Sequence, residues 1–191
     1  MLKPSPYVPN VSRVLEEMIG TLFAPNYIKV VQGHRDTNTT LLQQRWDIIF
    51  FTGSPALGKT VMAAAAQHLT PVVLELGGKS PCIIDKTADI DIASRRIAWG
   101  KTLNSGQTCI APDYLIIHKD VKEAFIDAWR KRIKELHGED IFSSPHYVHM
   151  VNEKAFERVC SYIKTGKIAY GGSSSRETLC IEPTLLEDGP L

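Results

Sequence analysis

The sequence predicts an α/β fold with two successive series of parallel strands and crossover helices. Three observations carry that prediction. Short β-branched, apolar runs alternate with longer stretches of helical period, the pattern of parallel βαβ units with right-handed crossovers. Glycines (Gly33, Gly53, Gly77-Gly78) stand where those runs end and the chain must turn. The alternation runs helix-strand-helix-strand-helix-strand through Leu76 and then begins again, which places a domain boundary between 1–76 and 77–191.

In the first series Lys3-Pro4-Ser5 opens the chain with no strand before it. Val11, Val14, Leu15, Met18, Ile19, Leu22 and Phe23 follow at helical spacing, with Asn10 or Ser12 as the expected cap. Tyr27–Val31 reads as a strand, Thr39–Arg45 as a short helix, and Asp47–Phe51 as the next strand. A helix from Pro55 to His68 has proline at its favoured first position, and Val72–Leu76 closes the series.

The second series starts with a short buried strand, Cys82–Asp85, and a helix from Ile90 to Leu103 that presents Ile92, Ile97 and Trp99 to a core. Asp113–His118 is a strand and Val121–Leu136 a long amphipathic helix, whose Arg130-Lys131-Arg132 and Lys134 form a solvated face. A further helix covers Asn152–Lys164. Ser173-Ser174-Ser175 has loop composition, and the stretch from Ile181 to Leu191 shows no strong period.

At 191 residues the chain is long enough to bury a core. A net charge of +1 with 43% apolar residues argues against a nucleic-acid or membrane-surface partner. No run reaches the roughly 20 apolar residues of a membrane-spanning helix. Met1-Leu2-Lys3-Pro4 lacks the apolar core of a signal peptide, so a reducing compartment with free thiols is expected. Cys82, Cys109, Cys160 and Cys180 show no metal-ligand spacing, and no metal is expected.

Two stretches carry chemistry. Asn104-Ser105-Gly106-Gln107-Thr108-Cys109-Ile110-Ala111-Pro112 sets one thiol between a helix end and a proline. Gly106 suits the left-handed conformation that ends a helix, and Pro112 stops the helix from resuming. Cys109 is then either a reactive thiol or a buried filler, since free cysteine is often buried. In Val72-Val73-Leu74-Glu75-Leu76-Gly77-Gly78, burial of Glu75 would raise its pKa and suit it to act as a base. By strict alternation it instead lies on the solvent face of an edge strand.

A third stretch, Gly53-Ser54-Pro55-Ala56-Leu57-Gly58-Lys59-Thr60, joins a strand to a helix, where backbone N–H groups and the helix's positive end favour an anion. It fits the phosphate-loop pattern of nucleoside-triphosphate hydrolases, with Lys59 and Thr60 on the phosphates and Asp85 for magnesium. Pro55 counts against that alternative, because a helix starting there carries Gly58-Lys59-Thr60 in its interior.

Together these stretches resemble the active-site signatures of the aldehyde dehydrogenase superfamily. Leu74-Glu75-Leu76-Gly77-Gly78-Lys79-Ser80-Pro81 and Gly106-Gln107-Thr108-Cys109 are similar to its two motifs. Arg95-Arg96-Ile97-Ala98-Trp99-Gly100-Lys101 and Ile110-Ala111-Pro112-Asp113-Tyr114 resemble the class-3, fatty-aldehyde branch, and the likeness runs from Leu2 to about Leu186. The resemblance implies part of a Rossmann-like NAD(P)-binding domain at 1–76 and part of a catalytic domain at 77–191. It implies oxidation of a medium- or long-chain aliphatic or aromatic aldehyde to the acid, with NAD or NADP as coenzyme. Cys109 would be the nucleophile and one oxyanion donor through its N–H, and Glu75 the base that activates water. Gly53, Ser54 and Gly58 would shape the pyrophosphate turn, Lys3 would reach the ribose, and Leu76 and Gly77 would lie near the nicotinamide.

The chain also departs from the family pattern. Pro6 stands where the family shows a glutamate that holds the ribose hydroxyls. The sequence starts inside that motif, after the strands and the asparagine that supplies the second oxyanion donor. It stops before the family's Glu-Glu-Ile-Phe-Gly-Pro stretch, the oligomerisation hairpin and the membrane-anchoring tail. The resemblance therefore implies a cytoplasmic fragment. Loss of one oxyanion donor alone costs roughly two to three orders of magnitude in rate, so weak activity or none is expected of this polypeptide by itself. The partners open to it are a second copy of the chain or a full-length relative, and a non-catalytic remnant that docks to such a relative stands as an alternative reading.

Overall fold

In the computed structural model residues 1–189 are described. The chain divides into two compact units, Met1–Leu76 and Gly77–Leu191.

The first unit is organised on strands β1 (Ile49–Gly53) and β2 (Val72–Leu76), joined by helix α3 (Pro55–Ala66). The strands pair in parallel, in register from Ile49↔Val72 to Gly53↔Leu76, so both carboxyl ends fall at the same edge. Helix α3 packs through Gly58, Val61 and Ala65, positions i, i+3 and i+7 of one face. At Gly58 the helix comes close to β2, since a Cβ there would lie 2.8 Å from Leu76 Cδ2.

Earlier in the chain come α1 (Pro9–Leu22) and α2 (Arg35–Leu42). Helix α1 starts at Pro9, ahead of the expected caps at Asn10 and Ser12, because proline's fixed φ already suits the first turn. Ser12 is buried and its Oγ donates to Val8 O at 2.9 Å. The apolar stripe Val11, Val14, Met18 and Leu22 remains exposed. Helix α2 begins before the expected Thr39, at Arg35, where Asp36 complements the positive helix end. The expected strand Tyr27–Val31 reduces to one parallel bridge, Leu2↔Val30, with Leu2 N donating to Lys29 O and Val31 N to Leu2 O, each at 2.9 Å. Leu2 thus pairs ahead of Lys3, where no strand was expected.

The second unit repeats the parallel arrangement with β3 (Ser80–Ile84), α4 (Ile90–Thr102) and β4 (Pro112–Ile117). Asp89 caps α4 by accepting from Ile92 N at 3.0 Å. Across α4 lies α5 (Lys122–His137), whose Phe125, Trp129 and Ile133 form the core with Ile84 and Ala98. Contrary to expectation, α4 buries Ser94, Ala98 and Thr102, leaving Ile92 and Trp99 38% and 59% exposed. Of the three buried residues only Ala98 shares the core with Phe125 and Trp129, a filling that the apolar period of α4 did not reveal. Ile97 packs against this core as expected.

Helix α6 (Glu153–Ile163) is capped by Asn152, which accepts from Ala155 N at 2.8 Å. The rest is antiparallel: β5 (Lys167–Tyr170) pairs with β8 (Leu185–Glu187), and β6 (Ser174–Ser175) with β7 (Cys180–Ile181). Ser174 and Ser175, expected in a flexible loop, are therefore held in a ladder. Among the described residues no helix is long and apolar enough to cross a membrane.

His137, the last residue of α5, has both ring nitrogens buried without a hydrogen-bond partner and lies edge-on to Tyr147, centroids 5.0 Å apart. Burial, with His146 as a second cause, pushes its pKa below the ordinary 6.5. The unfolded chain then binds a proton more readily than the folded one. Stability is full above the unfolded value and falls as pH drops below it. The urea midpoint should fall as pH is lowered from about 7.5 to about 5, and His137→Phe should flatten that slope. Equal slopes in the two proteins would contradict the assignment.

Candidate active site

The thiol turn begins where α4 ends. Residues Leu103–Gly106 form one tight turn in which Asn104 (φ 51°), Ser105 (φ 52°) and Gly106 (φ 76°) are all left-handed. The sequence pointed to Gly106 alone. Each non-glycine residue there costs on the order of 1–2 kcal/mol, so the turn persists only because its surroundings hold it. Gln107 N donates to Asn104 O at 3.0 Å, Asn104 Nδ2 donates to Gln107 O at 3.2 Å, and Ser105 Oγ donates to Val148 O. Ala111 N donates to Thr108 O at 3.0 Å and closes the next turn, which presents Cys109 to solvent just before β4. The core-filling role belongs to Cys180, 1% exposed, whose pKa burial pushes up.

Beside Cys109 the second unit carries a cleft of about 420 Å³ lined by Trp99, Leu103, Thr108, Ile110, Pro112 and Arg96. Thr108 and Ile110 flank the thiol in sequence, and the exposed Trp99 and Leu103 supply an apolar wall from α4. The sequence placed Trp99 in the core. Only its failure to repeat at i+4 with Ala98 and Thr102 could have set it apart.

In the first unit β1 runs into α3 at Gly53-Ser54. Ser54 caps the helix by accepting from Leu57 N at 3.3 Å, and Pro55 takes the first helical position. Gly53 pairs with Leu76, and Gly58 faces Leu76 from the helix, so Gly53, Ser54, Gly58 and Leu76 come together at the carboxyl edge of the strands. An exposed helix N-terminus at that edge suits a pyrophosphate, and the missing Cβ at Gly58 permits the close approach of helix and strand. Lys3 lies apart from this group in its contacts: its Nζ donates to Pro4 O at 2.7 Å, and burial lowers its pKa.

Glu75 pairs with Thr52 in the ladder and is exposed, following the alternation of β2. The burial within the apolar run that the sequence offered for Glu75 is not found. Glu75 is the last residue but one of the first unit and Gly77 opens the second, and no neighbour lies within 4 Å of a Cβ placed on Gly77.

Two residues of the phosphate-loop alternative, Thr60 and Asp85, are engaged elsewhere, while Lys59 lies within α3. Gly58 N donates to Ser54 O at 2.9 Å and Thr60 Oγ1 donates to Ala56 O at 3.3 Å, so both belong to the body of α3. Asp85 Oδ1 accepts from Thr87 N and Thr87 Oγ1 at 2.9 and 2.8 Å, which closes a local turn. The hydrolase reading is not supported.

The architecture is that of an α/β protein built on parallel βαβ pairs, with a helix entry suited to a dinucleotide in one unit and an exposed thiol turn in the other. Comparison with known proteins names the family. The aldehyde dehydrogenase family profile matches residues 1–190, and the chain belongs to that family. It is 45% identical over 189 residues to the 4,4'-diaponeurosporen-aldehyde dehydrogenase of Staphylococcus aureus, covering 98% of this chain and 41% of that protein. It is also 45% identical over 188 residues to the dimeric NADP-preferring aldehyde dehydrogenase of Rattus norvegicus, covering 98% of this chain and 42% of that one. The substrate-bound structure of Staphylococcus aureus AldH superposes with a TM-score of 0.90 at 44% identity, over 98% of this chain and 42% of that one. The chain thus spans about two fifths of the length of these relatives.

Proposed function

We propose that this chain carries the nucleophile and part of the coenzyme site of an aldehyde dehydrogenase that oxidises apolar aldehydes to acids with NAD or NADP. The observation that carries the reading is Cys109 itself, exposed on the turn that follows the left-handed one, with its neighbours Thr108 and Ile110 lining an apolar cleft, in a chain of this family. The Cys109 thiolate attacks the aldehyde carbon, forming a C–S bond and an oxyanion that accepts from the Cys109 backbone N–H. NAD or NADP, when bound, supplies the hydride acceptor that takes the aldehyde hydrogen. Cys109 is left holding a thioester. Glu75 takes a proton from water, the hydroxide attacks the acyl carbon, and the C–S bond breaks to release the acid and restore the thiol.

Gly53, Ser54, Gly58 and the first turn of α3 would hold the pyrophosphate, with Lys3 toward the ribose and Leu76 and Gly77 toward the nicotinamide. The walls of the cleft favour a long aliphatic or aromatic tail. The exposed stripe of α1 supports association with a second chain, either another copy or a longer relative.

An apolar activated ester tests the nucleophile without requiring turnover: it should acylate Cys109 and spare Cys82, Cys160 and Cys180. Labelling spread over the thiols would end the reading. The cleft is tested by Trp99→Ala, which should raise KM for a long-chain aldehyde about tenfold while leaving that for acetaldehyde nearly unchanged. Equal changes for the two aldehydes would remove Trp99 from the substrate's path.

A further inference from the structure

The side chain of Gln107 makes three hydrogen bonds. Its Nε2 donates to Asn104 O and to His149 O, both at 3.1 Å, while its Oε1 accepts from Val151 N at 2.9 Å. The first bond closes the left-handed turn. The other two grip backbone more than forty residues further along the chain.

That backbone is itself fixed from below. Tyr147 is buried with Ile141 and Cys180, and its hydroxyl donates to Ile181 O at 2.9 Å. Met150 is buried with Phe156 and Ile181, and its N–H donates to Leu179 O at 2.9 Å. Between these two anchors the exposed residues Val148 and His149 offer their carbonyls to Ser105 and Gln107.

We propose that Gln107 is the positioning residue of the Cys109 turn, a carboxamide clamp that fastens the thiol's backbone to the anchored 147–151 segment. The proposal rests on the reading of Cys109 as nucleophile. Only glutamine supplies two N–H donors and an acceptor at this reach. Glutamate has the same shape, but its carboxylate would face the carbonyls of Asn104 and His149 with no proton to give. Protonation returns one donor. Asparagine is one methylene too short to span the gap.

The test is the rate at which iodoacetamide alkylates each cysteine of the full chain, read by peptide mass spectrometry across pH. In the wild type Cys109 should react faster than Cys82 and Cys160. Gln107→Leu should slow Cys109 about tenfold or more at every pH, leaving the rates of the other thiols unchanged. Gln107→Glu should be as slow at neutral pH and recover toward the wild-type rate at the same pH as the solution is taken to about 5. A purely structural role would move every thiol together and show no pH-dependent recovery. Were Cys109 equally fast in all three proteins, the clamp would be refuted and the nucleophile kept. Were wild-type Cys109 no faster than Cys82 and Cys160, the nucleophile reading would fall and the clamp with it.

Discussion

Replacing Cys109 by serine should lower whatever aldehyde-dependent NAD(P)H formation the chain supports by roughly 10⁴-fold or more, the scale on which loss of an activated nucleophile acts. The side chain is exposed and the change is one atom, so the fold should be retained within about 0.5 kcal/mol. A thiol is deprotonated to a useful degree near neutral pH when its surroundings help, whereas a serine hydroxyl requires a dedicated base. Nothing in the turn offers one, since neither the Ser105 hydroxyl nor the Gln107 carboxamide is a base. Cys109→Ser should therefore lose acylation by activated ester as well as oxidation, and urea melts should separate that loss from unfolding. Acylation at the wild-type rate would show that another group attacks.

Glu75→Gln should separate the two halves of the reaction. The substitution keeps shape at an exposed position of β2, so the Gly53↔Leu76 register beside it should be undisturbed. Steady-state turnover should fall by about 10²- to 10⁴-fold, the usual contribution of a general base. The first hydride transfer needs only the thiolate and should survive, so NAD(P)H should form in a burst and then stop. A variant that lost burst and turnover together would move Glu75 to the attack step, and one that lost neither would remove it from the reaction.

Cys109 and Glu75 stood out as candidates because their motifs are local. Asn-Ser-Gly before a cysteine and Leu-Glu-Leu-Gly-Gly after an apolar run announce turns whatever the rest of the chain does. Pro55 at the start of α3 was legible for the same reason. What the residues hid was non-local. Trp99 and Ile92 sit on α4 with a spacing that fits a core, yet Ser94, Ala98 and Thr102 are the residues that α4 buries. Apolar period marks which residues share a face and leaves open whether that face meets a helix or a cleft. The two-residue strands β6 and β7 are too short to show any period, and Leu2, the unexpected half of the Leu2–Val30 bridge, lies in no apolar run. The Gln107 clamp depends on backbone groups at 149 and 151, which no side-chain pattern encodes.

The most direct measurement is the mass of the Cys109 peptide from Glu75→Gln protein mixed with an apolar aldehyde and NAD(P), then quenched in acid. The account predicts one acyl group per chain on that peptide, in amount equal to the NAD(P)H released in the burst. NAD(P)H released with Cys109 unmodified, or an acyl group on Cys82, Cys160 or Cys180 instead, would contradict it.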